Sequence, residues 1–162
     1  MCFIGSLTYQ PNVEAVLHFH RNVLPKIRGL NANARFIVVG MSAPPTILSL
    51  QDGKTCFVAS SVPDVRPYLD AATLIVVPLL SGAGTKLKVL EALAHGKAVV
   101  STAIGSEGLN LRPGVDLEIA EARNLLRAHA SDCSATPRRA AEWPIRAVNA
   151  SCLSILGNAF QT

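Results

Sequence analysis

Apolar residues occur along this chain in two ways, as short unbroken runs and as longer stripes at helical spacing. Cys2-Phe3-Ile4 is a brief run that ends at Gly5. From Pro11 on, Val13, Val16, Leu17, His20, Val23, Leu24 and Ile27 fall on an i, i+3, i+4, i+7 stripe, which predicts an amphipathic helix. Pro25 is expected to kink its last turn and Gly29 to end it. Arg35 to Gly40 reads as a buried strand, rich in β-branched residues and closed by glycine. Pro44 to Leu50 suits one short helix, and Cys56-Phe57-Val58 a weak third strand. Asp64 to Ala72 predicts a short helix with Asp64 as N-cap and Pro67 in its first turn. Thr73 to Pro78 is a fourth strand, apolar throughout and therefore expected to be covered on both faces.

A Ser81-Gly82-Ala83-Gly84 loop follows, then a helix from about Thr85 to His95 and a fifth strand at Ala98 to Ser101. Gly105-Ser106-Glu107-Gly108 reads as a loop. Past Asp116 the pattern suggests a strand near Leu117-Glu118-Ile119, a helix to Ala130 and a final helix after Trp143. Strands alternating with helices imply an α/β fold, a Rossmann-like parallel sheet of about six strands with helices on both faces and right-handed crossovers. One domain is expected over residues 1–162, with 131–162 a degenerate helical tail, because Ser131 to Thr136 interrupts the helical pattern.

Composition narrows the class. The chain has 162 residues, 49% hydrophobic and 16% charged, enough apolar surface for a core and too little charge for disorder. No apolar run reaches a membrane span, and the first residues carry no basic segment typical of a secretory signal, so a cytoplasmic location is expected. The net charge of +4 is spread over both halves rather than striped with aromatics, which argues against nucleic acid as a partner. It suits a phosphorylated ligand, with membrane contact at most peripheral. Cys2, Cys56, Cys133 and Cys152 form no C-x-x-C pair, and no metal site is expected.

In a parallel sheet, ligands bind at the carboxyl ends of the strands. Two glycine-bearing turns belong there, Gly5-Ser6 and Ser81-Gly82-Ala83-Gly84, and the second runs straight into a helix. Small residues let backbone N–H groups approach a ligand, and a helix N-terminus adds partial positive charge. Lys86 and Lys88 fall in the first turn, where cations are disfavoured unless an anion is bound nearby. The competing reading is a tight turn whose glycines serve packing alone. A dinucleotide fingerprint fails because Leu87 stands where its third glycine belongs, and a Walker loop fails because the order is Gly84-Thr85-Lys86. Glu91 lies beside a stripe of Leu87, Leu90 and Ala94, with Val89 and Leu93 apolar on the other side, so the helix is expected to be covered nearly all round. A carboxylate there is costly unless it is hydrogen-bonded or faces a cleft, where it would suit the paired hydroxyls of a ribose or sugar. Capping backbone groups or pairing with Lys88 is the alternative. His95 is expected to cap carbonyls, His18 and His20 to be one solvated and one packed, Glu107 to lie within reach of the site, and Trp143 to be core.

The run from Gly82-Ala83-Gly84-Thr85-Lys86-Leu87-Lys88-Val89-Leu90-Glu91 to Ser101-Thr102, continued by Gly105-Ser106-Glu107-Gly108-Leu109, resembles the donor-binding region of retaining family 4 (group 1) glycosyltransferases. Phe3-Ile4-Gly5-Ser6 with Pro11-Asn12, and Val62 to Leu69, agree with it, so the resemblance runs from Phe3 to Pro113. It implies one half of a GT-B fold, the carboxy-terminal half, which binds a nucleotide-diphosphate-sugar as substrate and needs no cofactor or obligatory metal. The acceptor-binding amino-terminal domain would be a missing partner, and the face it leaves exposed would favour self-association.

The family pattern has two glutamates eight positions apart. The second binds the nucleotide ribose and matches Glu91, and the first contacts the sugar and maps to Ala83. Many members carry an Arg and a Lys after the first strand to hold the diphosphate, whereas Ser6 to Asn12 contains no basic residue. The resemblance therefore leaves the diphosphate to Lys86, Lys88 and the amides of Gly82, Ala83, Gly84 and Thr85, beside Gly5 and Ser6, with the base near Ala59 to Val62. Transfer would retain the anomeric configuration, with the departing nucleoside diphosphate stabilised by preorganised donors, and no catalytic residue is assigned. Two other readings stand beside it: a non-catalytic nucleotide-binding or structural remnant, favoured by Ala83 and the missing basic pair, and a flavodoxin-like regulatory domain, which lacks the acidic cluster a phospho-receiver needs.

Overall fold

Short β-branched runs too brief to be helices become a sheet here because each finds a parallel neighbour. The computed structural model describes residues 1–120. The expected helix to Ala130, the tail and Trp143 lie outside the described residues. The elements run β1 (Cys2–Ile4), α1 (Gln10–His18), α2 (Leu24–Leu30), β2 (Phe36–Gly40), α3 (Pro45–Leu48), β3 (Cys56–Ser60), α4 (Arg66–Ala71), β4 (Leu74–Val77), α5 (Leu87–Ala94), β5 (Ala98–Ser101), α6 (Ala103–Ser106) and β6 (Glu118–Ile119). The six strands form one all-parallel sheet in the order β3-β2-β1-β4-β5-β6, the Rossmann-like arrangement expected from the alternation. The strand taken as weak pairs with β2 over its whole length, from Phe36 opposite Cys56 to Gly40 opposite Ser60.

Residues of α1, α2 and α3 (Val13, Val16, Leu24, Ile27, Ile47) pack with Phe3, Phe36, Val38 and Val76 in one apolar cluster. Leu69 of α4 and Val89 and Ala92 of α5 pack with Cys2, Val39, Ile75, Val77 and Val99 in a second. β4 contributes to both and is buried at every position, as its unbroken apolar run requires.

The first helical segment departs from expectation. Pro25 does not kink a last turn. Instead Phe19–Val23, between α1 and α2, is wound as a wider π-helix, with the Leu24 N–H donating to the Phe19 carbonyl. Proline cannot donate to the carbonyl four residues back and crowds it, and a wider turn just upstream absorbs both problems. Phe19 lies in the core, three residues on from buried Val16 and four from buried Ala15, with its ring centroid 4.6 Å from that of Phe36, and His20 is half-buried outside the stripe. His18 is also half-buried, so the expected split of one solvated and one packed histidine does not occur. Gly29 does not end the helix, which runs to Leu30.

Three smaller corrections follow. Asp64 lies one residue outside the N-cap, which is Val65, yet its carboxylate still accepts the Arg66 N–H at 2.9 Å. Gly105 to Gly108 is not simply a loop, because residues 103–106 form a single helical turn capped by Thr102, whose Oγ1 accepts the Gly105 N–H at 3.1 Å. Helix α5 is open along one stripe rather than covered all round, with Leu87 65% and Leu90 42% exposed. Every apolar residue of that stripe sits at i, i+3 or i+7 from Leu87, so the sequence pattern was helical but not evidence of burial.

Candidate functional site

The order of the sheet reverses between β1 and β4, and an open parallel sheet has its crevice at that point. β1 shares three rungs with β2 but only one with β4, Cys2 opposite Ile75, so the two strands part beyond it toward their carboxyl ends. The Gly5-Ser6 turn leaves one strand there and the Ser81 to Lys86 loop follows the other.

The two loops touch. Gly82 has φ +110°, a conformation only glycine adopts freely, and a side chain on it would meet the Tyr9 hydroxyl at 2.9 Å and Pro11 at 3.1 Å. The backbone N–H groups of Gly82, Ala83, Gly84 and Thr85 donate to no described residue. Ser6 is exposed, and its hydroxyl lies 2.8 Å from that of Thr8.

Lys86 and Lys88 take different roles. Lys86 sits at the N-cap of α5, is 6% exposed, and donates from Nζ to the Gly82 carbonyl at 3.0 Å, so its ammonium is buried under the glycine loop. Lys88 is half-buried and reaches from α5 across to β1. Its Nζ donates to Asn12 Oδ1 at 2.6 Å, lies 4.7 Å from the centroid of the Phe3 ring, and is 2.9 Å from where a Cβ on Gly5 would be. Asn12 itself is buried and donates through Nδ2 to the Ser6 carbonyl at 2.7 Å. Burial, and secondarily the Lys86 charge, pull the Lys88 pKa down to about 8.

Glu91 is exposed and its carboxylate has no hydrogen-bond or ion-pair partner among the described residues, so neither the expected burial nor pairing with Lys88 is found. At about 100° per residue it sits roughly 60° around the helix from Lys88, on the flank of the open stripe nearer that lysine. Ala83 and Thr85 are exposed in the loop. The structure thus gathers Gly5, Ser6, Gly82, Ala83, Gly84, Thr85 and Lys88 at the switch point, buries Lys86 beneath them, and sets Glu91 one turn along α5.

Asn12 and Tyr9 were missed as individual site residues. The only signal for Asn12 was its position next to Pro11 at the start of a helix, and nothing in sequence spacing joins it to Lys88. The carboxyl ends of β4 and β5 are pinned behind the loop: Thr102 Oγ1 donates to the Leu79 carbonyl at 2.6 Å and the Thr102 N–H to the Val77 carbonyl at 3.1 Å. The serines at the end of β3 are committed to the loop after β2, with Ser61 Oγ accepting the Ser42 N–H at 3.1 Å and Ser60 Oγ the Ala43 N–H at 3.0 Å. His95 does not cap carbonyls through its ring, which lies 3.4 Å from Asp70 of α4. Among the described residues no group of three or more His, Cys, Asp or Glu side chains could hold a metal ion, and no helix is long and apolar enough to cross a membrane.

The family model described as glycosyl transferases group 1 matches residues 1–135. The chain is 29% identical over 135 residues to an uncharacterized 44.6 kDa protein in the cps region of Klebsiella pneumoniae. That match covers 78% of this chain and 35% of the relative, so the chain spans about a third of the length of the curated protein it resembles.

Proposed function

The chain belongs to the group 1 glycosyltransferases, and from that premise we propose that it is the donor-binding domain of a retaining family 4 enzyme, one half of a GT-B fold. The observation that carries this reading is the switch-point loop, where four consecutive amides, Gly82 to Thr85, have no described partner and a lysine ammonium is held close by. Free backbone N–H groups in a glycine-rich loop that leads into a helix bind oxyanions, and a nucleotide-sugar presents two phosphates to them. Glu91, exposed and uncommitted, takes the ribose hydroxyls.

In the reaction, the bond between the anomeric carbon and the diphosphate oxygen breaks, a bond to an acceptor hydroxyl oxygen forms on the same face, and the hydroxyl proton leaves with the departing diphosphate. The amides and Lys88 stabilise the charge that develops on the departing diphosphate. The acceptor comes from a second domain, for which the exposed Leu87 and Leu90 next to the loop offer apolar contact. The chain's substrate is the nucleotide-diphosphate-sugar, and its setting is cytoplasmic.

Calorimetry of the 162-residue chain with UDP, GDP, ADP and TDP and their sugars tests this. One nucleotide series is expected to bind, and Glu91→Ala to weaken it roughly 10–100-fold, the worth of hydrogen bonds to a charged group. Because Glu91 is exposed, that variant should unfold at the same temperature as the parent. Absence of binding by all four nucleotides overturns the donor reading, and unchanged affinity in Glu91→Ala overturns the ribose assignment.

A further inference from the structure

We infer that Asn12 is a positioning residue for the donor diphosphate, its side-chain carbonyl holding the Lys88 ammonium against the Gly5 turn so that Lys88, and not Lys86, is the cation the diphosphate meets. The inference rests on the donor-binding reading and adds to it an element that the reading does not require. Four observations carry it. The Lys88 Nζ has three donors, of which one goes to Asn12 and the others to no described residue. Lys86 likewise has one described partner, the Gly82 carbonyl of its own loop, but it is 6% exposed where Lys88 is half-buried, so the donors a ligand can reach are those of Lys88. Asn12 is 5% exposed, and both ends of its amide are used, Oδ1 toward Lys88 and Nδ2 toward the Ser6 carbonyl. That pair of bonds ties the cation from one strand-helix unit to the turn of another, 76 residues away in sequence.

The chemistry favours an asparagine in this place. An aspartate would neutralise Lys88 and set a negative charge beside the phosphates, whereas a neutral carbonyl orients the ammonium and leaves its charge for the ligand. The Phe3 ring face, 4.7 Å from Nζ, adds attraction without adding charge. Glycine at position 5 leaves room for the ammonium, since a Cβ there would stand 2.9 Å from Nζ and 3.0 Å from Asn12 Nδ2.

The test is a double-mutant cycle read by calorimetry on the 162-residue chain, with UDP, GDP, ADP and TDP each set beside its monophosphate. For the diphosphate that the parent binds, Lys88→Gln is expected to lower affinity roughly 10–100-fold while changing the monophosphate less than about threefold. Asn12→Ala should show the same selective loss, and the double variant should bind no worse than Lys88→Gln alone. A purely structural asparagine would instead weaken mono- and diphosphate alike, and additively with Lys88→Gln, and either result overturns the inference. So does an Asn12→Ala chain that binds diphosphate as the parent does.

If Asn12→Ala fails to fold, Gly5→Ala carries the test. Gly5 is not in the left-handed region, and the nearest atoms its Cβ would meet are side-chain ends of Lys88 and Asn12, so the substitution displaces the pair without straining backbone. It should cost diphosphate affinity in the parent and nothing further in Lys88→Gln, and an equal loss in both backgrounds overturns the inference. A parent chain that binds none of the four nucleotides overturns the donor reading itself. A parent that binds, with unselective variants, overturns this inference alone.

Discussion

Replacing Lys88 with methionine should make the protein more stable relative to the parent at neutral pH, and the gap should close as the pH is raised. Lys88 carries its charge largely out of water, and its pKa falls from 10.5 to about 8. At 1.36 kcal/mol for each unit, keeping that lysine protonated costs the folded state about 3 kcal/mol. The sign follows from proton binding. Below pH 8 both folded and unfolded chains hold the proton, and the penalty is complete. Between 8 and 10.5 the unfolded chain binds a proton that the folded one has lost, so parental stability rises with pH. Methionine has similar length, no charge and no titration. It also leaves the Asn12 carbonyl without its donor, a loss of about 1–3 kcal/mol that does not depend on pH. The difference in unfolding free energy between parent and Lys88→Met should therefore shift by about 2–3 kcal/mol in favour of the parent from pH 7 to pH 10. Urea unfolding followed by circular dichroism at each pH measures it, and every other ionisable group is common to both proteins and cancels in the difference. Two parallel curves would refute the reasoning, since they would mean that the ammonium at the switch point is fully hydrated.

Other predictions use the scaffold. Gly105→Ala should lower stability by about 1–3 kcal/mol in the same urea assay, because its Cβ would press on Ser101 Oγ and on the Val77 carbonyl, and backbone cannot yield; an unchanged midpoint would show that the α6 turn is loose. Asp52 accepts the backbone N–H groups of Lys54, Thr55 and Cys56 at 2.7–2.9 Å and the Thr55 hydroxyl, which hold its carboxyl well below the usual range. Its contribution is complete above the unfolded value of about 4 and is lost as pH falls toward the folded one. Asp52→Ala should therefore melt lower than the parent at pH 7, with the gap narrowing below about pH 4 in scanning calorimetry; a gap independent of pH would contradict this. Burial pushes the Cys2 and Cys56 thiols up to about 12 and about 11. Mass-spectrometric mapping after treatment with a thiol reagent at pH 8 should find both unlabelled until urea is added.

How much of this could be read from the sequence depends on whether the deciding interaction was local. β2 and β4 are apolar, β-branched and bounded by turn residues, and both appear within a residue of their expected limits. β3 looked weak because Ala59 and Ser60 have little strand preference, yet backbone pairing with β2 extends through both. The stripe of the first helix differs at one position, because from Ala15 and Val16 it continues through Phe19, at i+4 and i+3, and not through His20. The glycine loop and its helix were legible as a strand-to-helix connection at the carboxyl edge of the sheet, and Gly82 serves the turn itself, with φ +110° and Tyr9 and Pro11 packed close against it. Burial of α5 was not legible. Leu87 and Leu90 fit an amphipathic pattern, but which apolar stripe faces the sheet is decided by the packing of Val89 and Ala92 against the strands, not by hydropathy.

The lysine at the crevice shows how far position in sequence can mislead about position in space. The turn after β1 carries no basic residue from Ser6 to Asn12, and on sequence alone this counts against anion binding there. The fold brings a cation to that turn from another unit. Because β1 and β4 part beyond a single rung, a side chain from the first turn of α5 reaches the far side of β1, where Phe3, Gly5 and Asn12 receive it. Two conditions make this work, and each constrains the sequence. Gly5 must lack a Cβ, and position 12 must offer a neutral acceptor whose other end is fixed to the backbone at Ser6. Neither residue is basic and neither is catalytic in type, yet together they set the charge of the crevice. A search for cations in the loop itself passes over both, since the contact of Lys88 with Asn12 and the Gly5 turn exists only once the sheet has formed.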